Sequence, residues 1–230
     1  MALAAQPGMK ILVFGSGAAA VCGEEQRWLL LNASPQTAGH PLIEAAAAQG
    51  RIAGLVMLDA RLAHLHSLSA LRHGRAMALY ATPSVFEELT ARLPTHELDD
   101  CGSGLRWHPL PVAGDVRSAE FHVDGAASLR CVAVDDGGLA APYSPHRQEA
   151  VVGDSIAVLV EDLGDGQRLL YAPGSGAGAL PWMAGADCLL VNASACPREA
   201  GPPEAGARRT VLVHLDDGDP RLEEGMEIEL

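Results

Sequence analysis

Ala140-Ala141-Pro142-Tyr143-Ser144-Pro145-His146-Arg147, followed by Gly153-Asp154, holds the densest concentration of reactive side chains in the chain. Two prolines restrict the backbone around a phenol, a hydroxyl, an imidazole and a guanidinium. Functional groups carried on a stiffened loop read as a preset site, because binding and catalytic residues concentrate on loops held by a rigid scaffold. The same residues also fit a rigid surface loop whose His146 and Arg147 are solvated.

Other chemistries find no support. Gly15-Ser16-Gly17 and Gly174-Ser175-Gly176-Ala177-Gly178 have the glycine content of phosphate loops. Neither completes a G-x-x-x-x-G-K-[ST] or a G-x-G-x-x-G before a helix, so no nucleotide is expected. Ser34 and Ser144 lack the G-x-S-x-G elbow of a serine hydrolase. The five cysteines show no C-x-x-C spacing, and Cys131 and Cys188 lie in apolar runs as reduced core residues. A net charge of -13 repels nucleic acid and anionic lipid, so neither is expected as a partner. With no apolar run of about 18 residues, no membrane-spanning helix is expected. Met1–Gly8 lacks the basic and apolar regions of a signal peptide and reads as a disordered leader before a single domain over 9–230. Reduced cysteines and the missing signal point to the cytoplasm.

Elements that would position the loop follow from periodicity. Ile11–Phe14, Trp28–Leu31, Leu55–Leu58 and Met77–Ala81 read as short buried strands. Pro41–Gln49 reads as a helix opened by proline and stopped at Gly50. Leu62, Leu65, Leu68 and Leu71 give a helix with one leucine face, and another helix follows Thr82-Pro83 to about Arg92. Ile156–Glu161 and Arg168–Tyr171 form a hairpin around Gly164-Asp165-Gly166. Leu189–Val191 and Thr210–Val213 are two further buried strands, and Pro197–Ala207 is linker-like. Helices alternating with strands predict an α/β fold with helices outside two packed sheets.

The loop resembles the A-P-P-Y-S-P-H-R…G-D-N signature of the PQQ (pyrroloquinoline quinone) biosynthesis protein B family. In the same order, Met9–Ser16 resembles that family's opening strand and turn, and Trp28–Pro35 its W-x-L-L-N-A-S-P. Leu170–Gly174 resembles L-x-Y-A-P-G, Ala186–Val191 resembles A-D-C-L-L-V, and Gly225–Ile228 resembles G-M-E-I. The resemblance implies an αββα sandwich of metallo-β-lactamase type, two packed mixed sheets with outer helices.

It also implies a site. Asp59-Ala60-Arg61-Leu62-Ala63-His64 stands where the family has D-A-x-x-D-H, so Asp59 and His64 remain while Ala63 cannot bind a cation. Arg61 stands at the second histidine of the classical H-x-H-x-D-H, and a permanent cation there disfavours two metals. His66 reads as a solvated helix residue. His214 matches the family's last histidine, followed by Asp216 and Asp217 in place of asparagines. Asn192 stands where the family has an aspartate, and Asp187 reads as structural. Asp59, His64 and His214 then form a two-histidine, one-carboxylate set for one iron(II) or zinc ion. Tyr143, His146, Arg147 and Asp154 are the implied catalytic, substrate-orienting residues. Ser144, Arg61, Asn32 and Ser34 are the implied substrate-binding residues. Arg147 suits a bidentate contact with a carboxylate. The family's C-N-C-x-x-C knuckle is reduced to Cys22 within Gly17–Glu24, which reads as a β-turn link with no structural zinc.

The implied activity is a mononuclear, metal-dependent oxidative step, an oxidoreductase reaction on a tyrosine-derived precursor in quinone cofactor biosynthesis. The alternative is a metal-free pseudoenzyme that binds or carries the quinone or its peptide-derived precursor, or scaffolds a pathway partner. A metallo-hydrolase ranks third. A second copy of the chain, or another protein of the pathway, is the protein partner this reading admits.

Overall fold

The computed structural model describes residues 8–71, 77–92, 104–145, 147–174, 180–192, 209–213 and 226–230. Two sheets pack face to face with helices outside, the arrangement the resemblance implied. The first sheet has the order β13-β1-β2-β3-β4-β5-β6. Its strands are β1 (Lys10–Phe14), β2 (Ala18–Cys22), β3 (Trp28–Leu31), β4 (Ile52–Val56), β5 (Met77–Ala81), β6 (Leu105–Pro109) and β13 (Met226–Glu229). The second has the order β12-β11-β10-β9-β8-β7. It is built from β7 (Ser118–Phe121), β8 (Leu129–Asp135), β9 (Ile156–Asp162), β10 (Arg168–Ala172), β11 (Cys188–Asn192) and β12 (Arg209–Val213).

Both sheets are mixed. β3, β4, β5 and β6 run parallel, while β13, β1, β2 and β3 alternate in direction. β10, β11 and β12 run parallel, while β7 to β10 alternate. Side chains two apart share a strand face. Ile11, Val13, Ala19, Val21, Leu29, Leu31 and Val56 therefore meet Cys131, Ala133, Val158, Val160 and Tyr171 between the sheets. The intervening Leu12, Phe14, Ala20, Leu30 and Leu55 face the helices. Because both faces are covered, these strands read as continuous apolar runs.

The helices are α1 (Pro35–Gly39), α2 (Pro41–Ala48), α3 (Leu62–Leu71), α4 (Pro83–Arg92) and α5 (Leu180–Met183). Proline opens α1, α2 and α4, where its missing N–H costs nothing. Leu65, Leu68 and Leu71 of α3 are buried, but Leu62 is exposed. A three-residue repeat drifts off one face of a 3.6-residue helix.

One sequence expectation is corrected. Gly17–Glu24 is not a β-turn link. Ala18–Cys22 is an inner strand, fully buried and paired antiparallel to both β1 and β3. Three alanines carry no strand propensity, and tertiary packing overrides it. Small side chains suit a strand enclosed on both faces. Helix α1 also falls outside the strand-and-helix expectations, although Ser34-Pro35 carries its start signal. No described helix is long and apolar enough to cross a membrane.

Candidate functional site

Strand directions gather one set of ends. The C-terminal ends of β3, β4 and β5 share one edge of the first sheet. The C-terminal ends of β8, β10, β11 and β12, with the start of β9, share one edge of the second. A backbone hydrogen bond from Ile156 N to Leu58 O, 2.9 Å, joins the two edges. Asp59 is the next residue.

Asp59 is buried at the turn into α3. Its Oδ1 accepts from the Arg61 backbone N–H at 3.0 Å, a local turn of the kind aspartate favours before a helix. The same Oδ1 faces His64 Nδ1 at 2.6 Å, and His64 is fully buried. The second oxygen, Oδ2, lies 3.7 Å from Arg61 Nε and accepts no hydrogen bond among the described residues. Burial alone would raise the Asp59 pKa. The charge and hydrogen bond of His64, helped by Arg61, outweigh it and hold the carboxyl below the usual range.

Around this node lie more buried polar groups. Asp136, just past β8, accepts from Gly138 N at 2.8 Å, and its own N–H donates to Ser155 O at 3.2 Å. Its carboxylate packs so closely on Gly174 that a Cβ there would come within 2.0 Å of Oδ2. Burial pushes the Asp136 pKa up, Gly138 and Ser155 oppose this, and the charge of Asp59 adds to it. The Tyr171 hydroxyl is buried with no hydrogen-bond partner among the described residues. Its pKa is raised by burial and by Asp59, against Arg61. An unpaired buried hydroxyl is costly, and such groups call for an explanation.

The 140–154 loop meets this node where the Tyr143 hydroxyl donates to the Ala60 carbonyl, next to Asp59. Gly153 N donates to Asp135 Oδ1 of β8 at 3.1 Å, and helix α4 supplies further anchors. Ser84 Oγ donates to Asp154 Oδ1. Ser144 Oγ donates to Glu88 Oε1 at 2.6 Å. Arg92 donates to the Tyr143 carbonyl at 3.1 Å, with its guanidinium 4.7 Å from the ring centre. Ser84, Glu88 and Arg92 are four residues apart, so they share one helix face. Thr82 adds a bond to Gly153 O at 2.6 Å and caps Val85 N at 3.2 Å. Burial pushes the Tyr143 phenol up to about 12, with Glu88 adding to the rise and Arg92 opposing it.

The sequence-predicted residues therefore separate. Asp59, His64, Arg61 and Tyr143 come together. Asp154 spends Oδ1 on Ser84 and Oδ2 on Val151 N at 3.1 Å. Ser144 turns to Glu88. Arg147 is exposed, donating to Pro142 O at 3.1 Å, and lines a cleft of about 530 Å³ with Tyr143, Ser144, Pro145, Gln148 and Glu149. Asn32 is a backbone staple with a φ of 56°: it donates to Gly17 O at 3.2 Å and accepts from Leu58 N at 2.7 Å. Asparagine tolerates that left-handed conformation better than most residues. Ser34 caps α1 in a capping box with Thr37. Asp187 accepts from Arg168 N at 3.0 Å. His146, His214, Asp216 and Asp217 lie outside the described residues, as do the side chains of His66 and Asn192.

The sequence reading missed Asp136, Tyr171, Ser155 and the α4 face. Ser84, Glu88 and Arg92 show helical spacing, but nothing in sequence links them to a loop some 60 residues away. A smaller cleft of about 190 Å³ lies at the opposite strand ends, between Arg130, Glu161, Arg168 and Trp182. Its charges pair with one another along the sheet surface.

Comparison with known proteins places this arrangement. A beta-lactamase superfamily domain matches residues 27–222. The fold is shared with Zn(2+)-bound PqqB from Methylobacterium extorquens, at TM-score 0.61 and 19% identity over 80% of this chain and 72% of that one. It is also shared with human tRNase Z, short form, at TM-score 0.55 and 14% identity, covering 89% and 92% of the two chains. These likenesses define the class, a metallo-β-lactamase fold with its candidate site at the joined strand ends. At sequence level, coenzyme PQQ synthesis protein B of Nitrosococcus oceani is 38% identical over 176 residues, covering 72% of this chain and 57% of that protein. The Pseudomonas aeruginosa protein of the same name is 34% identical over 241 residues, covering 89% and 78%. The chain belongs to the coenzyme PQQ synthesis protein B family.

One donor test bears on a metal. A carboxylate oxygen and an imidazole nitrogen suit iron(II) or zinc. Asp59 Oδ2 is a buried acceptor without a hydrogen bond, which a cation would satisfy. Asp59 Oδ2 thus fits as one donor for an ion, with His64 beside it engaging the other carboxylate oxygen. Among the described residues no group of three or more His, Cys, Asp or Glu is arranged to hold a metal.

Proposed function

We propose that this protein acts in the biosynthesis of a PQQ-type quinone cofactor, in a mononuclear metal-dependent oxidative step on a tyrosine-derived precursor. The observation that carries the reading is the buried Asp59 Oδ2, open to a cation beside His64 at the joined strand ends. Asp59, His64 and His214 would hold the ion. When bound, iron(II) supplies the redox chemistry with dioxygen that protein side chains lack.

The chain's own residues do the rest. Arg147, exposed at the cleft, takes a precursor carboxylate in an otherwise acidic protein. Tyr143 fixes the Ala60 carbonyl and so the turn that carries Asp59. Helix α4 keeps the loop in place around the cleft. The buried Tyr171 hydroxyl holds a proton at the inner side of the node. The reading places the protein in the cytoplasm, with a small or peptide-derived quinone precursor as ligand.

Elemental analysis after anaerobic loading with iron(II) or zinc tests it. About one ion per chain is expected, lost in His64→Ala and in His214→Ala. No metal at any loading would sink the reading.

A second reading, a metal-free member that binds or carries the precursor, is favoured by the Arg61–Asp59 ion pair, which supplies the carboxylate with a cation already. It predicts binding of pyrroloquinoline quinone that a chelator leaves unchanged. Binding abolished by the chelator and restored by metal counts against it.

A further inference from the structure

Arg61 occupies an unusual place relative to Asp59. Its backbone N–H holds Oδ1 at 3.0 Å, so the side chain is rooted beside the carboxylate. Its Nε then lies 3.7 Å from Oδ2, the oxygen that accepts no hydrogen bond among the described residues. The carboxylate side chain is only 6% exposed, whereas the Arg61 side chain is 42% exposed. One partner is fixed in the interior and the other has a path to water.

A guanidinium cannot shed its proton, so it cannot become neutral to admit another cation. Two positive groups competing for one buried oxygen repel each other strongly where the dielectric is low. Ala63 offers no second carboxylate on this turn to share the load. The long arginine stem can instead carry its charge outward.

We propose that Arg61 is a resident counter-ion that competes with a divalent cation for Asp59, so that the ion enters only as the guanidinium turns out to water. The exchange is one cation for another, with no covalent change. It rests on the metal-binding reading above and adds to it a built-in competitor. Arg61 is therefore a positioning residue that pairs with Asp59, and it sets the affinity of the node for the ion. A guanidinium turned outward from this turn also remains beside the entrance, where it adds a positive charge for an anionic ligand.

The test uses the full chain stripped with a chelator and titrated with zinc by calorimetry and with cobalt(II) by visible absorption. Arg61→Gln removes the charge at similar length, and zinc binding roughly tenfold tighter than in the unchanged protein is expected. Arg61→Lys keeps the charge and should bind like the unchanged protein. Arg61→His removes the permanent charge and adds an imidazole donor, so it should bind more tightly than Arg61→Gln. Adding His64→Ala to Arg61→Gln should abolish the gain, which locates the ion at this node. Circular dichroism and thermal unfolding confirm that each variant is folded, which the exposure of Arg61 favours. Equal affinity in the unchanged protein and Arg61→Gln, with one ion bound per chain, overturns the proposal and leaves the metal reading standing. No binding by any variant, Arg61→His included, overturns both.

Discussion

The Asp59–His64 turn and the 140–154 loop are built on opposite economies of polar groups. The loop carries most of the reactive side chains that a reader of the sequence would pick, yet it spends them on its own anchorage. Ser84 takes one oxygen of Asp154, Glu88 takes the Ser144 hydroxyl, and Arg92 takes the Tyr143 carbonyl. The turn carries few such groups, but it leaves a buried carboxylate oxygen without a hydrogen bond among the described residues. The Tyr171 hydroxyl likewise has no partner among them. A dense run of functional residue types thus marks a well-fastened framework, while the buried carboxylate oxygen beside His64 is an acceptor that a ligand would satisfy.

Three changes test that contrast, the largest first. His64→Ala removes the main partner of a buried carboxylate, and urea unfolding should show a loss of about 3–5 kcal/mol. A loss within about 0.5 kcal/mol, the range of a plain surface change, would mean that the pair is not a structural node. Asp154→Ala should cost less, about 1–3 kcal/mol, because its partners are the half-buried Ser84 hydroxyl of α4 and the backbone of the exposed Val151. Amide exchange should then quicken across 140–154 while β9 and β10 stay protected. Faster exchange throughout the second sheet would contradict the picture of a loop whose side chains are fastened chiefly to α4.

The smallest effect is expected at Asp136. Its folded pKa is raised, so its charged form disfavours the fold at neutral pH. Asp136→Asn should be up to about 1 kcal/mol more stable than the unchanged protein near pH 7. The difference should vanish as pH falls through the raised folded value toward the ordinary carboxylate value of about 3.9. Asp59 runs the other way. Its folded pKa is lowered, so its contribution is complete above about pH 4 and is lost as pH falls through the depressed folded value. A stability difference at Asp136 that grows on acidification would reverse the assignment.

Much of the architecture was legible in the sequence because apolar runs, prolines and glycines carry it directly. α3, α4 and the β9–β10 hairpin lie where periodicity puts them, give or take a residue, whereas β4 starts three residues before the expected Leu55 and ends at Val56. β2 was illegible because alanine carries no strand signal of its own and only enclosure on both faces makes that segment a strand. The neighbourhood of Asp59 and His64 was legible through the family's D-A-x-x-D-H pattern, and the change of its second acid to Ala63 was visible there as well. What the pattern could not convey is occupancy. Asn32 and Ser34 stand in a motif that reads as substrate-binding, but one staples Gly17 to Leu58 and the other caps a helix. Asp136 belongs to no motif and reaches the node because β8 ends beside the start of β9.

The single backbone bond from Ile156 to Leu58 has a mechanical meaning. It works as a rivet across the seam of the sandwich, set immediately beside Asp59. A force that spreads the two sheets at this edge must strain this rivet, and at the opposite strand ends it must break the bonds that Ser128 N and Oγ donate to the Glu25 carboxylate. Strain at this seam therefore falls on the backbone next to Asp59.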